Sequence, residues 1–129
     1  MWFKNLIIYR LPELWPDDKT KLQAALDGAP FAPCAGLDWF SEGFAAPMPF
    51  APDLVFAAGR SQRVALKRED KVLPGAVVRD LLAEKVAAIE AAEARNVGRK
   101  EKLELKEQII DDLLPRAFTK SRRTEALFD

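Results

Sequence analysis

Five prolines, Pro30, Pro33, Pro47, Pro49 and Pro52, fall between Ala29 and Pro52, with Gly36 and Gly43 among them. Proline lacks a backbone N–H and its ring clashes with the preceding helical turn. This density therefore excludes a regular helix and leaves loops and short strands. The same stretch holds Phe31, Trp39, Phe40, Phe44 and Phe50. Aromatic rings in such a setting are expected to anchor loops onto a core.

Before it, Phe3 to Leu11 reads as a strand, because Leu6, Ile7, Ile8 and Tyr9 are strand formers and Pro12 ends the run. Apolar residues on both parities predict a strand covered on both faces. Pro16-Asp17-Asp18 then opens a short helix, with Leu22, Ala25 and Leu26 as its apolar stripe and Gly28 at the place of a left-handed cap. After the proline-rich stretch, Leu54 to Ala58 and Gln62 to Arg68 predict two strands joined around Gly59, followed by a charged turn at Glu69-Asp70-Lys71.

A long helical pattern follows Pro74-Gly75. Val78, Leu82, Val86 and Ile89 recur at intervals of three and four, opposite Arg79, Asp80, Glu84, Glu90 and Glu93. The stripe fades at Asn96-Val97-Gly98, where glycine costs about 1 kcal/mol against alanine, so a kink or break is expected there. It resumes at Arg99 with Leu103, Ile109, Ile110 and Leu113, and Pro115 stops it. A hairpin, a hinged pair and one long rod all fit this pattern.

The expected fold is α+β: a small mixed or antiparallel sheet with a short helix over residues 1–74, then a long helical hairpin or finger over 75–129 that ends in the start of a further strand. A length of 129 residues suits one domain, or one and a fraction. With 49% apolar and 31% charged residues the balance is that of a soluble globular chain. No apolar run approaches the roughly 20 residues of a membrane-spanning helix. The opening Met1-Trp2-Phe3-Lys4-Asn5 lacks the pattern of a signal peptide, so the expected location is cytoplasmic. The single Cys34 agrees and is expected to be buried rather than reactive.

The chain has no histidine. That removes the usual general base and, with one cysteine, any zinc constellation. The sequence also lacks a glycine-rich phosphate loop, since Gly98-Arg99-Lys100 has neither the preceding glycine nor the hydroxyl. No catalytic residue, metal, cofactor or small-molecule substrate is expected. One pattern of nuclease type exists: Pro52-Asp53 followed by Glu69-Asp70-Lys71, in which two carboxylates would hold Mg²⁺ and a lysine would stabilise developing charge. It is short and loosely spaced, and its second half falls in an expected turn.

Twenty basic and twenty acidic side chains cancel, but from Arg95 to Arg123 nine Lys/Arg face five Asp/Glu. That local excess is compatible with a phosphate-facing surface and equally with a solvated helix. The segment after Pro115 concentrates it: Arg116, Lys120, Arg122 and Arg123 with Thr119, Ser121 and Phe118. Cations and hydroxyls contact phosphates without reading sequence, and an exposed Phe118 would stack on a base or wedge a groove. The alternative is that Phe118 plugs a core and the cations are merely hydrated.

Several strings, in order, resemble one family. Trp2-Phe3-Lys4-Asn5-Leu6 with Tyr9-Arg10, Phe31-Ala32-Pro33-Cys34, Gly43-Phe44-Ala45-Ala46-Pro47-Met48, Lys71-Val72-Leu73-Pro74, Glu84-Lys85, Glu93-Ala94-Arg95, Lys106-Glu107 and Leu113-Leu114-Pro115-Arg116-Ala117-Phe118 are similar to segments of the RdgC family, over nearly the whole chain. The resemblance implies an α/β protein that forms a homodimeric ring around double-stranded DNA, associates with the nucleoid and antagonises RecA-driven strand exchange. It implies little sequence preference and no established catalysis, although the family also carries an exonuclease label. It places Arg116 and Phe118 in the family's finger region, as DNA contacts. The family continues well beyond Asp129, and ring closure is expected to draw on that further part. Thr119-Lys120-Ser121-Arg122-Arg123 is more basic than the family stretch it resembles.

The expected partner is therefore duplex DNA, contacted by Arg116, Phe118, Lys120, Arg122 and Arg123, with Arg99, Lys100 and Lys102 on the helices. The rivals are a Mg²⁺-dependent nuclease using Asp53, Glu69 and Lys71, and a fragment whose helices only pair with another chain.

Overall fold

Strand β3, Ser61–Val72, is the axis of the computed structural model, which describes residues 4–12 and 18–129. Before it come helix α1, Lys19–Leu26, and strands β1, Phe40–Ala45, and β2, Phe56–Ala58. After it come helices α2, Gly75–Glu93, and α3, Arg99–Leu113, a 3-10 turn at Leu114–Arg116, and strand β4, Phe118–Phe128. β4 pairs antiparallel with β3 from Gln62↔Phe128 to Val72↔Phe118. β1 pairs from Phe40↔Asp70 to Ala45↔Ala65, and β2 from Phe56↔Arg63 to Ala58↔Ser61. A strand has two hydrogen-bonding edges, and these spans overlap. β1 and β2 therefore lie end to end along one edge of β3, and β4 runs along the other. The fold is α+β with an antiparallel sheet, as expected.

The expected strands at 54–58 and 62–68 are β2 and the first part of β3. Their hairpin turns at Gly59, whose φ of 60° is open to glycine at little cost. The charged turn expected at Glu69-Asp70-Lys71 is instead strand. β1 and β4 flank these residues from both edges and satisfy their backbone, while Asp70 pairs with Arg68, Glu69 accepts from the Cys34 N–H and Lys71 donates to the Leu114 carbonyl.

Alternate residues of β3 face opposite sides of the sheet. The face bearing Phe44, Val64 and Phe128 meets α1. There Leu22 and Leu26, one turn apart, bury against Val55 and Val64, with Phe44, Leu54 and Phe128 packed around them. The Asp18 carboxylate caps α1 by accepting from the Thr20 N–H at 3.0 Å. Ala25 is exposed, so the stripe is narrower than expected. The helix ends on a right-handed Asp27, and no left-handed cap forms at Gly28. Pro16 and Asp17 lie outside the described residues.

Gly43 permits a close crossing. A Cβ there would fall 2.5 Å from the backbone of Pro30 and Phe31, a segment tied to β1 by the Phe31 N–H donating to the Phe44 carbonyl at 2.8 Å. Of the five aromatics expected to anchor loops, Phe44 packs on the core and Phe31 lies beneath the Lys67 ammonium at 4.7 Å. Trp39, Phe40 and Phe50 stay largely exposed, against expectation.

The helical pattern breaks, and α2 packs against α3 as a hairpin. Ala94 ends α2 in the left-handed region at φ 50°, and Gly98 precedes α3 in an extended conformation. Arg95 clamps the turn, donating to Glu101 at 2.7 and 2.8 Å and to Glu93 at 2.6 Å. The Val97 N–H donates to Glu90 at 3.2 Å. The inward row is Val97, just before α3, and then Glu101, Leu105, Ile109 and Leu113 on the helix, one residue in four. Leu103, expected inside, points outward at 57% exposure.

The expected strand from Phe3 to Leu11 does not form over its described residues: 4–12 contain no strand, and Leu6, Ile7, Ile8 and Tyr9 are exposed. Phe3 lies outside the described residues. Among the described residues no helix is long and apolar enough to cross a membrane.

Candidate nucleic-acid interface

β3 and β4 place the basic segment on the sheet. Directly opposed residues of an antiparallel pair share a face. Phe118 lies opposite Val72, Lys120 opposite Asp70, and Arg122 opposite Arg68. Phe40 and Glu42 flank Asp70 and Arg68 on the other side. These residues occupy the end of the sheet face beyond the α1 core.

Arg68 and Arg122 are like charges side by side, and two carboxylates resolve the conflict. Arg68 donates to both Asp70 oxygens at 3.0 and 3.2 Å, approaches Glu42 at 3.8 Å and lies 4.2 Å over the Phe40 ring. The hydrogen bond from Arg68, with the nearby charges of Arg68, Arg122 and Lys120, pulls the Asp70 carboxyl below its ordinary range. The hydrogen bond to Asp70 likewise raises the Arg68 guanidinium above its ordinary value.

Arg68 is thereby consumed, while its neighbours are not. Arg122, with a side chain 66% exposed, reaches Asp70 only at 3.9 Å. Lys120 makes no ion pair within 4 Å among the described residues. Phe118 is 87% exposed and plugs no core. An open aromatic ring therefore stands beside two solvated cations.

Strand alternation sends Arg123 to the opposite face, where it donates to the Ala46 carbonyl at 2.7 Å and pairs with Glu125 at 3.2 Å. Arg116, in the 3-10 turn, pairs with Asp112 at 3.1 Å.

Arg99, Lys100 and Lys102 lie in the first turn and a half of α3, all exposed. At 1.5 Å per residue they stand roughly 20 Å along the axis from the β4 group. Cations at a helix N-terminus oppose the macrodipole at about 0.3–1 kcal/mol each. Gly98 supplies no side-chain cap to offset this, and the one acid of that turn, Glu101, is held by Arg95, whose hydrogen bond lowers its carboxyl. These cations are thus not explained by helix stability. Lys106 extends the same outward face, one turn beyond Lys102 and Leu103, and the spacing 99, 103, 106 was its signal in the sequence. Asp70, the charge that organises the sheet end, gave no such signal.

The three residues of nuclease pattern have other work. Asp53 pairs with Lys19 of α1 at 3.3 Å, on the core side of the sheet. Glu69 and Lys71 face the opposite side. There Glu69 accepts from the Cys34 N–H at 3.1 Å, and Lys71 donates to the Leu114 carbonyl at 2.7 Å. Among the described residues no group of three or more His, Cys, Asp or Glu is placed to hold a metal ion. Cys34 itself is half-buried, its Sγ 3.2 Å from the Asp38 carbonyl.

Comparison with known proteins bears on all these residues. The family model described as "Putative exonuclease, RdgC" matches residues 1–129. The chain is 60% identical over 129 residues to "Recombination-associated protein RdgC" of Neisseria meningitidis serogroup C (strain 053442), covering all of this chain and 43% of that protein. The protein of the same name from Laribacter hongkongensis (strain HLHK9) is 58% identical over 130 residues, covering all of this chain and 44% of its own length. That of Pseudomonas fluorescens (strain SBW25) is 44% identical over 128 residues, covering 98% of this chain and 42% of its own. The chain spans less than half the length of these relatives.

Proposed function

The chain belongs to the RdgC family, and from that premise we propose that it binds double-stranded DNA through phosphates, with little sequence preference and without catalysis, in DNA recombination. The observation that carries this reading is the open sheet end at which the exposed Phe118 ring stands beside Lys120 and Arg122. Lys120, with no carboxylate within 4 Å among the described residues, and Arg122, which reaches Asp70 only at 3.9 Å, are placed to replace the counterions of a phosphate backbone. Phe118 adds an apolar surface suited to a base face or a groove wall.

Arg99, Lys100 and Lys102, with Lys106, form a second group on α3, and Arg116 lies between the two. A duplex carries one charge per about 1.7 Å of axis, so a span of roughly 20 Å offers phosphates to both groups. Arg123 contributes less, being held by Ala46 and Glu125. In a family-length protein the same contacts would line a homodimeric ring, and occupancy of DNA would oppose RecA-driven strand exchange at the nucleoid, in the cytoplasm.

The test is binding to several unrelated duplexes at rising salt. Similar affinities that fall linearly with log salt support the reading; affinity indifferent to salt, or strongly dependent on sequence, overturns it. The same samples incubated with Mg²⁺ should keep their DNA intact. Degradation lost on Glu69→Ala would install the nuclease instead.

A further inference from the structure

Leu6, Ile7, Ile8 and Tyr9 are four consecutive strand formers, yet they are 69%, 73%, 83% and 78% exposed and belong to no strand. Contiguous exposed apolar side chains of this size mark an interaction surface. Their sequence specifies how. A run apolar on both parities suits a strand with cover on both faces and a hydrogen-bonded neighbour, not a helix laid in a groove. Pro12 fixes the end of such a strand, because it has no N–H to give a ladder.

Among the described residues no strand of this chain pairs with residues 4–12. β3 has both edges filled, by β1 and β2 on one side and β4 on the other. The outer edge of β4 is open, but a second copy is a poor donor to it. Residues 4–12 carry Lys4 and Arg10 with no acid, and β4 carries Lys120, Arg122 and Arg123 against Glu125 alone, so the pairing sets like charges together. The relatives point elsewhere, since more than half of each lies outside the region this chain matches.

We propose that residues 6–11 form a β-strand that pairs with polypeptide equivalent to that unmatched part of the RdgC relatives. The interface is a strand added to a sheet edge, with apolar cover on both its faces. It rests on family membership and on the exposure of residues 6–9, and is independent of DNA binding.

The test compares backbone amide exchange at residues 6–11 in two proteins: this chain of 129 residues, and a chimera continuing it with the unmatched part of the Neisseria meningitidis relative. In the short chain these amides should exchange as in an open polypeptide at every protein concentration. In the chimera they should slow by at least about a hundredfold, as amides of a stable strand do. A chimera that melts cooperatively yet exchanges as fast as the short chain overturns the proposal. So does concentration-dependent protection in the short chain alone, which would make a second copy the partner. If the chimera fails to fold, the matching segment of the full-length relative decides by the same criterion: protection supports the strand, and open-chain exchange overturns it.

Discussion

The ammonium of Lys71 donates to the carbonyl of Leu114 at 2.7 Å, joining the central strand to the base of the helical hairpin. Lys71 is 8% exposed, and its second acceptor is the Gly36 carbonyl at 3.4 Å. Leu114 is itself buried, and its carbonyl also accepts from the Ala117 N–H at 3.2 Å, so the lysine is the donor that reaches it from the sheet. A residue that reads in the sequence as one letter of a nuclease pattern thus caps the last turn before the 3-10 segment, where a cation is favoured.

Lys71→Met keeps the length of the side chain and removes the donor. Losing a hydrogen bond from a charged donor costs about 1.5–3 kcal/mol. Urea unfolding should show a loss of that size, with the hairpin base exchanging its amides faster than the sheet. A variant as stable as the parent would show that Lys71 does not hold the two elements together.

The turn of the hairpin suggests a change in the other direction. Ala94 sits at φ 50° and ψ 42°, a conformation that costs an L-residue roughly 1 kcal/mol and glycine almost nothing. Ala94→Gly should raise stability by up to about 1 kcal/mol, less the extra entropy glycine carries in the unfolded chain. Thermal unfolding reads this directly, and a fall in Tm would contradict it.

Where a pattern depended on neighbours along the chain, the sequence was legible. The three- and four-residue spacing located both long helices, and Gly98 marked their break. What failed depended on neighbours across space. Glu69, Asp70 and Lys71 look like a turn because three charges adjoin, yet two flanking strands and the Arg68 ion pairs make them strand. Leu103 and Leu105 are equally apolar, and only the contact with α2 selects Leu105. The eight residues singled out for DNA came apart for the same reason. Strand alternation put Lys120 and Arg122 on one face and Arg123 on the other, and α3 carried Arg99, Lys100 and Lys102 to the far end of the hairpin.

The Asp70 carboxyl reports on the sheet end. Its value in the folded chain lies below the ordinary 3.8, chiefly through the hydrogen bond from Arg68. The contribution is fully present above that ordinary value and is lost as pH falls through the lower folded one. NMR titration should find Asp70 ionised at pH values where an isolated aspartate is half protonated. Arg68→Ala should return it toward the ordinary range, and Arg122→Ala should move it the same way by less. An Asp70 that titrates normally in the parent would remove this pair from the account.

Lys120 and Arg122 bear most directly on DNA contact, because a charge already satisfied within the protein releases fewer counterions when it binds. Each phosphate neutralised on a duplex contributes about 0.9 to the slope of log affinity against log salt. Replacing both residues with alanine should therefore lower that slope by about 2 and weaken binding alike on every sequence. Arg123→Ala should change the slope by much less, since its guanidinium is held by the Ala46 carbonyl and Glu125. Equal effects from the three positions would mean that the sheet end is not the contacting face. A slope unchanged by the double substitution, with Arg99, Lys100 and Lys102 left intact, would move the contact to the hairpin.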